Sequence, residues 1–372
     1  MKVAIVHEML VKLGGAENVV RDIWSLFPDA DVHTLIYDEK KVGAVFSKEK
    51  VKCSGPAQRV YKLFGRQRLA LPWMAKSVEQ IDLSGYDLVI ASSSGFAHGC
   101  ITRPDTPFIV YSHTPARYLW DYAHQYPKDI GWSKGLKRMI LQGITHGLRV
   151  WDFQAGQRAD VIIAASRQVA SRVRKYYRRD AQVVYPPVET EKFFPGQLPL
   201  ASRSTYVIAS ALTEFKRVDI AVKAFTALGA PWRLVVASDG DQADYLKSIA
   251  GPNVEFVGRQ TAEQLNGLYE NARGFLMTNR DDFGIGPVEA MAAGVPVLGL
   301  GEGGLTETSV DGLTGRFFHD PDGSDFTLAL KAFDAEVASG AYDSHPVRQH
   351  ALKFRRQRFL DEFAGVVRGV VG

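Results

Sequence analysis

The residues best equipped for chemistry lie in one stretch, Asp281-Asp282-Phe283-Gly284-Ile285-Gly286-Pro287-Val288-Glu289, which runs on into Ala290-Met291-Ala292-Ala293-Gly294-Val295-Pro296-Val297. Asp281 and Glu289 stand eight positions apart, the first in a glycine-containing loop and the second in a helix opened near Pro287, where proline suits the first turn. Carboxylates so placed reach different parts of one ligand. Each can accept from paired hydroxyls, which sugars and riboses present. Gly284 and the N–H groups after it let a phosphate approach the backbone. Upstream, Lys216 and Arg217 follow a strand and open a helix. Two cations beside a helix N-terminus suit a diphosphate, with arginine able to form a bidentate pair. The turn Gly301-Glu302-Gly303-Gly304 can likewise present backbone N–H groups to phosphate oxygens.

The first half of the chain offers two further candidates. Tyr111-Ser112-His113-Thr114-Pro115-Ala116-Arg117-Tyr118-Leu119-Trp120-Asp121 crowds polar and aromatic groups into one loop after a strand, where function collects. His113 there suits a hydrogen bond to a sugar hydroxyl or to charge developing on a ring. Gly14-Gly15-Ala16-Glu17, between the first strand and a helix running to about Leu26, is either a plain tight turn or a phosphate or sugar contact. The segment from Arg59 to Lys76 holds five cations, Arg59, Lys62, Arg66, Arg68 and Lys76, with no acid and with Trp73 among its aromatics. Arg167–Arg179 has a similar mix. Such segments fit an anionic membrane or a lipid diphosphate; a solvated helix face is the competing reading, and nucleic acid a lesser one.

Positioning these groups requires a scaffold of βα units. Short apolar runs bounded by Gly, Pro or Asp alternate with amphipathic segments, the pattern of a parallel sheet. Strands are expected at 3–7, 32–36, 88–92, 108–112, 161–164 and 182–185, and in a second series at 206–209, 233–237, 254–257, 274–277 and 296–300. Pro186-Pro187 begins an extended linker between the series. The fold class is therefore α/β, with two Rossmann-like doubly wound parallel sheets whose strand ends face a central cleft: a first domain over 1–186 and a second over 187–346. The 372 residues suffice for two such domains, and 46% hydrophobic with 23% charged residues excludes disordered and fibrous classes. A net charge of +4 matters only where cations cluster. Two cysteines without metal spacing, no signal peptide and no long apolar run point to a cytoplasmic protein, peripherally associated with the inner face of the cell membrane.

The Asp281–Glu289 segment with its Ala-Gly-x-Pro-Val continuation resembles the signature of the family 4 retaining glycosyltransferases of GT-B fold, over nearly the whole chain. His7-Glu8-Met9-Leu10, Gly14–Glu17, Tyr111–Asp121 and Tyr185-Pro186-Pro187-Val188 look like the bacterial mannosyltransferases that build O-antigen and exopolysaccharide repeats. The resemblance implies that Lys216 and Arg217 hold the donor diphosphate, Glu289 the ribose and Asp281 the transferred sugar. Phe283, Gly284 and Ile285 would approach the donor by their backbone, with His113 facing the sugar and Gly15 near the diphosphate. Arg59, Lys62, Arg66, Arg68, Trp73 and Arg117 would meet acceptor or membrane, and the chain from about Val347 would cross back onto the first domain. Asp281 stands where the family usually has Glu, and Ala211 where many members carry a diphosphate-binding Arg. The implied reaction moves mannose from GDP-mannose to a polyprenyl-diphosphate-linked oligosaccharide, without cofactor, metal or nucleic acid. A UDP-sugar donor is the nearest alternative; a sugar-nucleotide epimerase and a sugar-binding protein are the others.

Overall fold

Every strand pairing in this chain is parallel, as buried apolar runs joined by helices demand. The computed structural model describes residues 1–372, apart from the side chains of Arg68 and Asp129. Two units result, Met1–Tyr185 with Phe359–Gly372, and Pro186–Arg358.

The first unit contains β1 (Val3–Leu10), β2 (Asp31–Tyr37), β3 (Val51–Cys53), β4 (Leu88–Ser93), β5 (Phe108–Ser112), β6 (Val161–Ala164) and β7 (Gln182–Val183). They form a seven-stranded sheet in the order β3-β2-β1-β4-β5-β6-β7. The order reverses beside β1, and crevices for ligands open at such reversals, outside the carboxyl ends of the strands. Register brings chemistry to that end: His7 lies opposite Ser92, and Ser93 opposite Ser112. The helix Gly15–Leu26 follows β1 and buries Val19, Val20 and Ile23 against the sheet core. Burial of those apolar groups, at about 25 cal/mol per Å², fixes the helix more than its uncapped start does.

The second unit contains β8 (Thr205–Ile208), β9 (Arg233–Val236), β10 (Val254–Phe256), β11 (Ala272–Met277), β12 (Val297–Leu300) and β13 (Gly315–Phe318), in the order β10-β9-β8-β11-β12-β13. Here β8 and β11 adjoin at the reversal. The loops leaving these two strands carry Lys216 and Asp281, so strand order alone makes neighbours of residues far apart in sequence.

Two strands were not expected from the sequence, β3 and β13. Both are sheet edges of three and four residues, half-exposed in places, and so lack a continuous apolar run. The expectation that the chain crosses back from about Val347 is corrected: residues up to Arg358 belong to the second unit. Val347 is fully buried, the Arg348 guanidinium donates to the carbonyls of Phe193 and Ala292, and Val188 N–H donates to the Phe354 carbonyl at 3.1 Å. Only the helix from Arg356 onward supplies the return, placing Phe359 and Phe363 against Tyr111.

Candidate functional site

The loop after β8 ends in a short turn, Glu214–Lys216, and Arg217 caps the helix Val218–Leu228 in a left-handed conformation with φ +50°. The Lys216 ammonium meets the Asp281 carboxylate directly, and Thr278 Oγ1 donates to the Lys216 carbonyl at 3.1 Å. The structure thus brings together the cation expected on a diphosphate and the acid expected on a sugar. Arg217 is engaged elsewhere: Nε donates to Asp219 Oδ1 at 3.3 Å, and the terminal nitrogens to the carbonyls of Pro321 and Asp322 at 3.1 and 3.4 Å. It therefore joins the helix start to the 319–325 turn.

Asp281 is itself fixed from two sides. Its Oδ1 accepts from the Asp282 N–H at 3.0 Å, and its carbonyl accepts from the Gly304 N–H at 2.8 Å. The glycine turn 301–304 can lie against this loop only because it lacks side chains there: a Cβ on Gly304 would stand 2.3 Å from the Phe283 Cα. Gly284, at φ +89°, then starts the helix Ile285–Ala292, where a side chain would be strained. The aromatic ring of Phe283 is buried against Phe354, so that only its backbone remains for a ligand.

Glu289 lies on this helix, half-buried, and among the described residues its carboxylate forms no hydrogen bond or ion pair. Burial pushes it up to about 7, with the Glu189 carboxylate adding to the rise and Lys192 opposing it. The nearby Tyr269 hydroxyl is also buried without a hydrogen-bond partner among the described residues. A carboxylate kept short of donors in this way can bind hydroxyl groups strongly when they arrive.

In the first unit, His113 follows β5, and its Nε2 lies 2.8 Å from Ser92 Oγ. Burial pushes the imidazole down to about 3, helped by the charge of His7. It is therefore a neutral ring at working pH, with Nδ1 outside the Ser92 contact. His7 Nδ1 donates to the Ser92 carbonyl at 3.0 Å. Beside it, Glu8 Oε1 accepts from Ser93 Oγ and from the N–H groups of Ser94, Gly95, Phe96 and Ala97 at 2.7 to 3.1 Å. Burial favours its neutral form, yet the His7 charge and these donors outweigh that and hold the carboxyl below its usual range. Such a nest of N–H groups can bind an anion, and here the chain supplies its own.

Ser93, His98 and Asp152 continue inward, with His98 Nδ1 at 3.0 Å from Ser93 Oγ and Nε2 at 3.3 Å from Asp152 Oδ1. Trp120 Nε1 and the Tyr177 hydroxyl donate to the same fully buried Asp152, at 2.7 and 3.2 Å. Sequence reasoning missed Ser93, His98 and Asp152 because Asp152 comes from a helix far along the chain from the segment that holds Ser93 and His98; the run Ser92-Ser93-Ser94-Gly95 closing a strand was the available signal.

Gly15 is exposed at the first helix start, and the side chain closest to that turn is the chain's own Glu17, whose Oε2 would stand 3.0 Å from a Cβ on Gly14. Arg117 is half-buried and pairs with Asp121 at 3.4 Å; Arg172 meets the same carboxylate at 3.3 Å and Thr114 Oγ1 at 3.1 Å. These contacts fix the His113 loop. Of the two basic segments, Arg167–Arg179 turns Arg172 and Tyr177 inward and stacks Tyr176 at 4.8 Å over Trp120, while Arg167, Arg174, Lys175 and Arg178 are exposed. Arg59 and Lys62 on the helix Pro56–Phe64, Trp73 on the helix Gln67–Glu79 and Arg66 just before the second helix are exposed, as are Leu63, Phe64 and Leu69. The Arg68 side chain lies outside the described residues. No group of three or more His, Cys, Asp or Glu among the described residues is arranged to hold a metal ion. Among the described residues, no helix is long and apolar enough to cross a membrane.

A family model described as Glycosyltransferase Family 4 matches residues 13–192, and one described as glycosyl transferases group 1 matches 203–333. D-inositol 3-phosphate glycosyltransferase of Nocardiopsis dassonvillei is 30% identical over 247 residues, 58% of this chain and 57% of that protein. Alpha-1,3/1,6-mannosyltransferase ALG2 of Kluyveromyces lactis is 25% identical over 413 residues, 92% of this chain and 76% of that protein. The GDP-mannose-dependent alpha-(1-6)-phosphatidylinositol monomannoside mannosyltransferase of Mycolicibacterium smegmatis is 27% identical over 229 residues, 54% of this chain and 57% of that protein. Among solved structures, Anabaena HepE in complex with UDP matches with a TM-score of 0.72 at 15% identity, covering 99% of this chain and all of that one. That likeness, with two parallel-sheet units, makes the architecture the GT-B fold.

Proposed function

We propose that the chain is a family 4 glycosyltransferase, a reading that the family models over residues 13–192 and 203–333 support, and that it transfers mannose from GDP-mannose, with retention, to a polyprenyl-diphosphate-linked oligosaccharide. The observation that carries the donor site is the Lys216–Asp281 pair at the β8/β11 reversal, beside a helix whose Glu289 carboxylate is short of hydrogen-bond donors. Lys216 neutralises the diphosphate, and Asp281 and the N–H groups from Phe283 to Ile285 hold the sugar and its phosphate. Glu289 accepts from the ribose hydroxyls. Arg217 keeps the helix start in place rather than meeting the diphosphate first, since its guanidinium already holds Asp219 and two carbonyls. Neutral His113 donates a hydrogen bond to a substrate hydroxyl and moves no proton of its own.

The reaction breaks the bond from the anomeric carbon to the diphosphate and forms one to the acceptor oxygen on the same face. The acceptor's proton passes to a diphosphate oxygen. Lys216 and the adjacent helix N-terminus stabilise the departing negative charge, and positioning of the two substrates supplies much of the rest. The K. lactis and M. smegmatis relatives support mannose as the sugar, and the latter GDP as the carrier. The UDP in HepE supports the second reading, the same chemistry with a UDP-sugar. A donor screen with GDP-mannose, UDP-glucose and UDP-galactose against lipid-diphosphate-linked acceptors, read by mass spectrometry, separates them. Transfer only from a UDP-sugar would replace the mannose assignment, and donor conversion without acceptor would point to an epimerase.

A further inference from the structure

The helix Gly135–Ala155 and the segment before it enclose a cavity of about 430 Å³, well within the size of small-ligand sites, that the reading above leaves unused. Its wall carries His124, Lys128, Arg138, His146 and Arg149, and no carboxylate among the described residues. Arg149 Nε donates to the Leu119 carbonyl at 2.7 Å. The side chains of His124, Lys128, Arg138 and His146 form no hydrogen bond or ion pair with the described residues. From Ile130 to Trp151 the sequence contains no acid. Lys128, Arg138 and Arg149 on one cavity wall, with no carboxylate among its described residues, make a site for an anion, and a guanidinium fits phosphate oxygens two at a time.

The same helix carries a second stripe. At 100° per residue, positions 136, 139, 140, 143, 147 and 150 lie side by side, and the Met139 and Val150 edge of this stripe adjoins His146, the nearest member of the cavity face made by 138, 141, 142, 145, 146 and 149. Leu136, Met139, Ile140 and Val150 on that stripe are 70%, 68%, 48% and 49% exposed, among apolar side chains a soluble helix normally buries. A cationic cavity beside an exposed apolar stripe complements an amphiphile with an anionic head and a hydrocarbon tail.

We propose that this cavity binds the phosphate or diphosphate head of a lipid-linked substrate, with the start of its hydrocarbon chain along the Leu136–Val150 stripe. The proposal rests on transfer to a lipid-linked acceptor and gives that acceptor a place separate from the exposed Arg59–Lys76 segment.

The test measures binding of inorganic diphosphate, farnesyl diphosphate and phosphatidylglycerol vesicles to the full chain, with the donor site filled by saturating GDP or UDP. Farnesyl diphosphate should bind more tightly than inorganic diphosphate. Lys128→Glu with Arg138→Glu, both exposed positions, should weaken it at least tenfold. Leu136→Ser with Met139→Ser should remove the advantage of the tail while leaving inorganic diphosphate within twofold. Equal binding of the two diphosphates would reassign the cavity to a soluble anion and overturn the lipid head. Undiminished farnesyl diphosphate binding by the charge variant would overturn the site, as would variants that lose only vesicle binding. Nucleotide binding should be unchanged in every variant; its absence from the unaltered chain would instead defeat the donor-site reading and leave the cavity result standing separately.

Discussion

Glu289 carries the sharpest consequences at the scale of single residues. With its carboxyl pushed up to about 7, it is partly protonated at neutral pH, and only the ionised form accepts from both ribose hydroxyls. Donor affinity should therefore rise with pH through about 7, and this step should vanish in Glu289→Gln, as calorimetric titrations across pH 5.5–8.5 would show. The sign for stability is opposite. A carboxyl raised in the folded state costs nothing below its unfolded value, and its penalty grows as pH rises from 4.5 to about 7. Glu289→Gln should thus gain about 1–3 kcal/mol over the unaltered chain at pH 8 relative to pH 4.5, by urea unfolding. Lys216→Ala should lower kcat/KM at least tenfold, because it removes the cation paired with Asp281. The sequence displayed this half of the site plainly: Asp281, Gly284 and Glu289 fall within one short run, and Lys216 follows a recognisable strand. It did not display that Arg217 is occupied by the Pro321 and Asp322 carbonyls, since that contact joins segments a hundred residues apart.

Loops and sheet ends form the next scale. Glu8 binds the N–H nest after β4, so Glu8→Ala would leave five donors without their acceptor. A loss of about 3 kcal/mol or more is expected by urea unfolding, while Glu8→Gln, which keeps an oxygen there, should lose less. The lowered carboxyl gives the same contact a pH signature: its stabilisation is present above the ordinary value of 4.5 and lost as pH falls below it. At the other sheet, Gly304→Ala sets a Cβ against Phe283 and must move the loop that presents Asp281, weakening donor binding at least tenfold. The buried strands were legible because they are uninterrupted apolar runs. β3 and β13 were not, being short edges whose pairing depends on neighbours rather than on their own pattern. The segment 347–358 was assigned to the wrong unit for a similar reason, since its burial against Phe193 and Phe283 depends on contacts rather than composition.

For the whole molecule, exposed Arg59, Lys62, Arg66 and Trp73 with Leu63 and Phe64 predict co-sedimentation with anionic vesicles that weakens as salt screens the charges. Everything else depends on the claim that the chain moves a sugar from a nucleotide to an acceptor with its anomeric configuration kept. The most direct test is to incubate the purified chain with ¹³C1-labelled GDP-mannose and a lipid-diphosphate-linked oligosaccharide, and to follow the anomeric carbon by NMR. The account predicts a new α-linked product that forms only when acceptor is present and falls at least tenfold in Lys216→Ala. A β-linked product, or label that changes without acceptor, would contradict it.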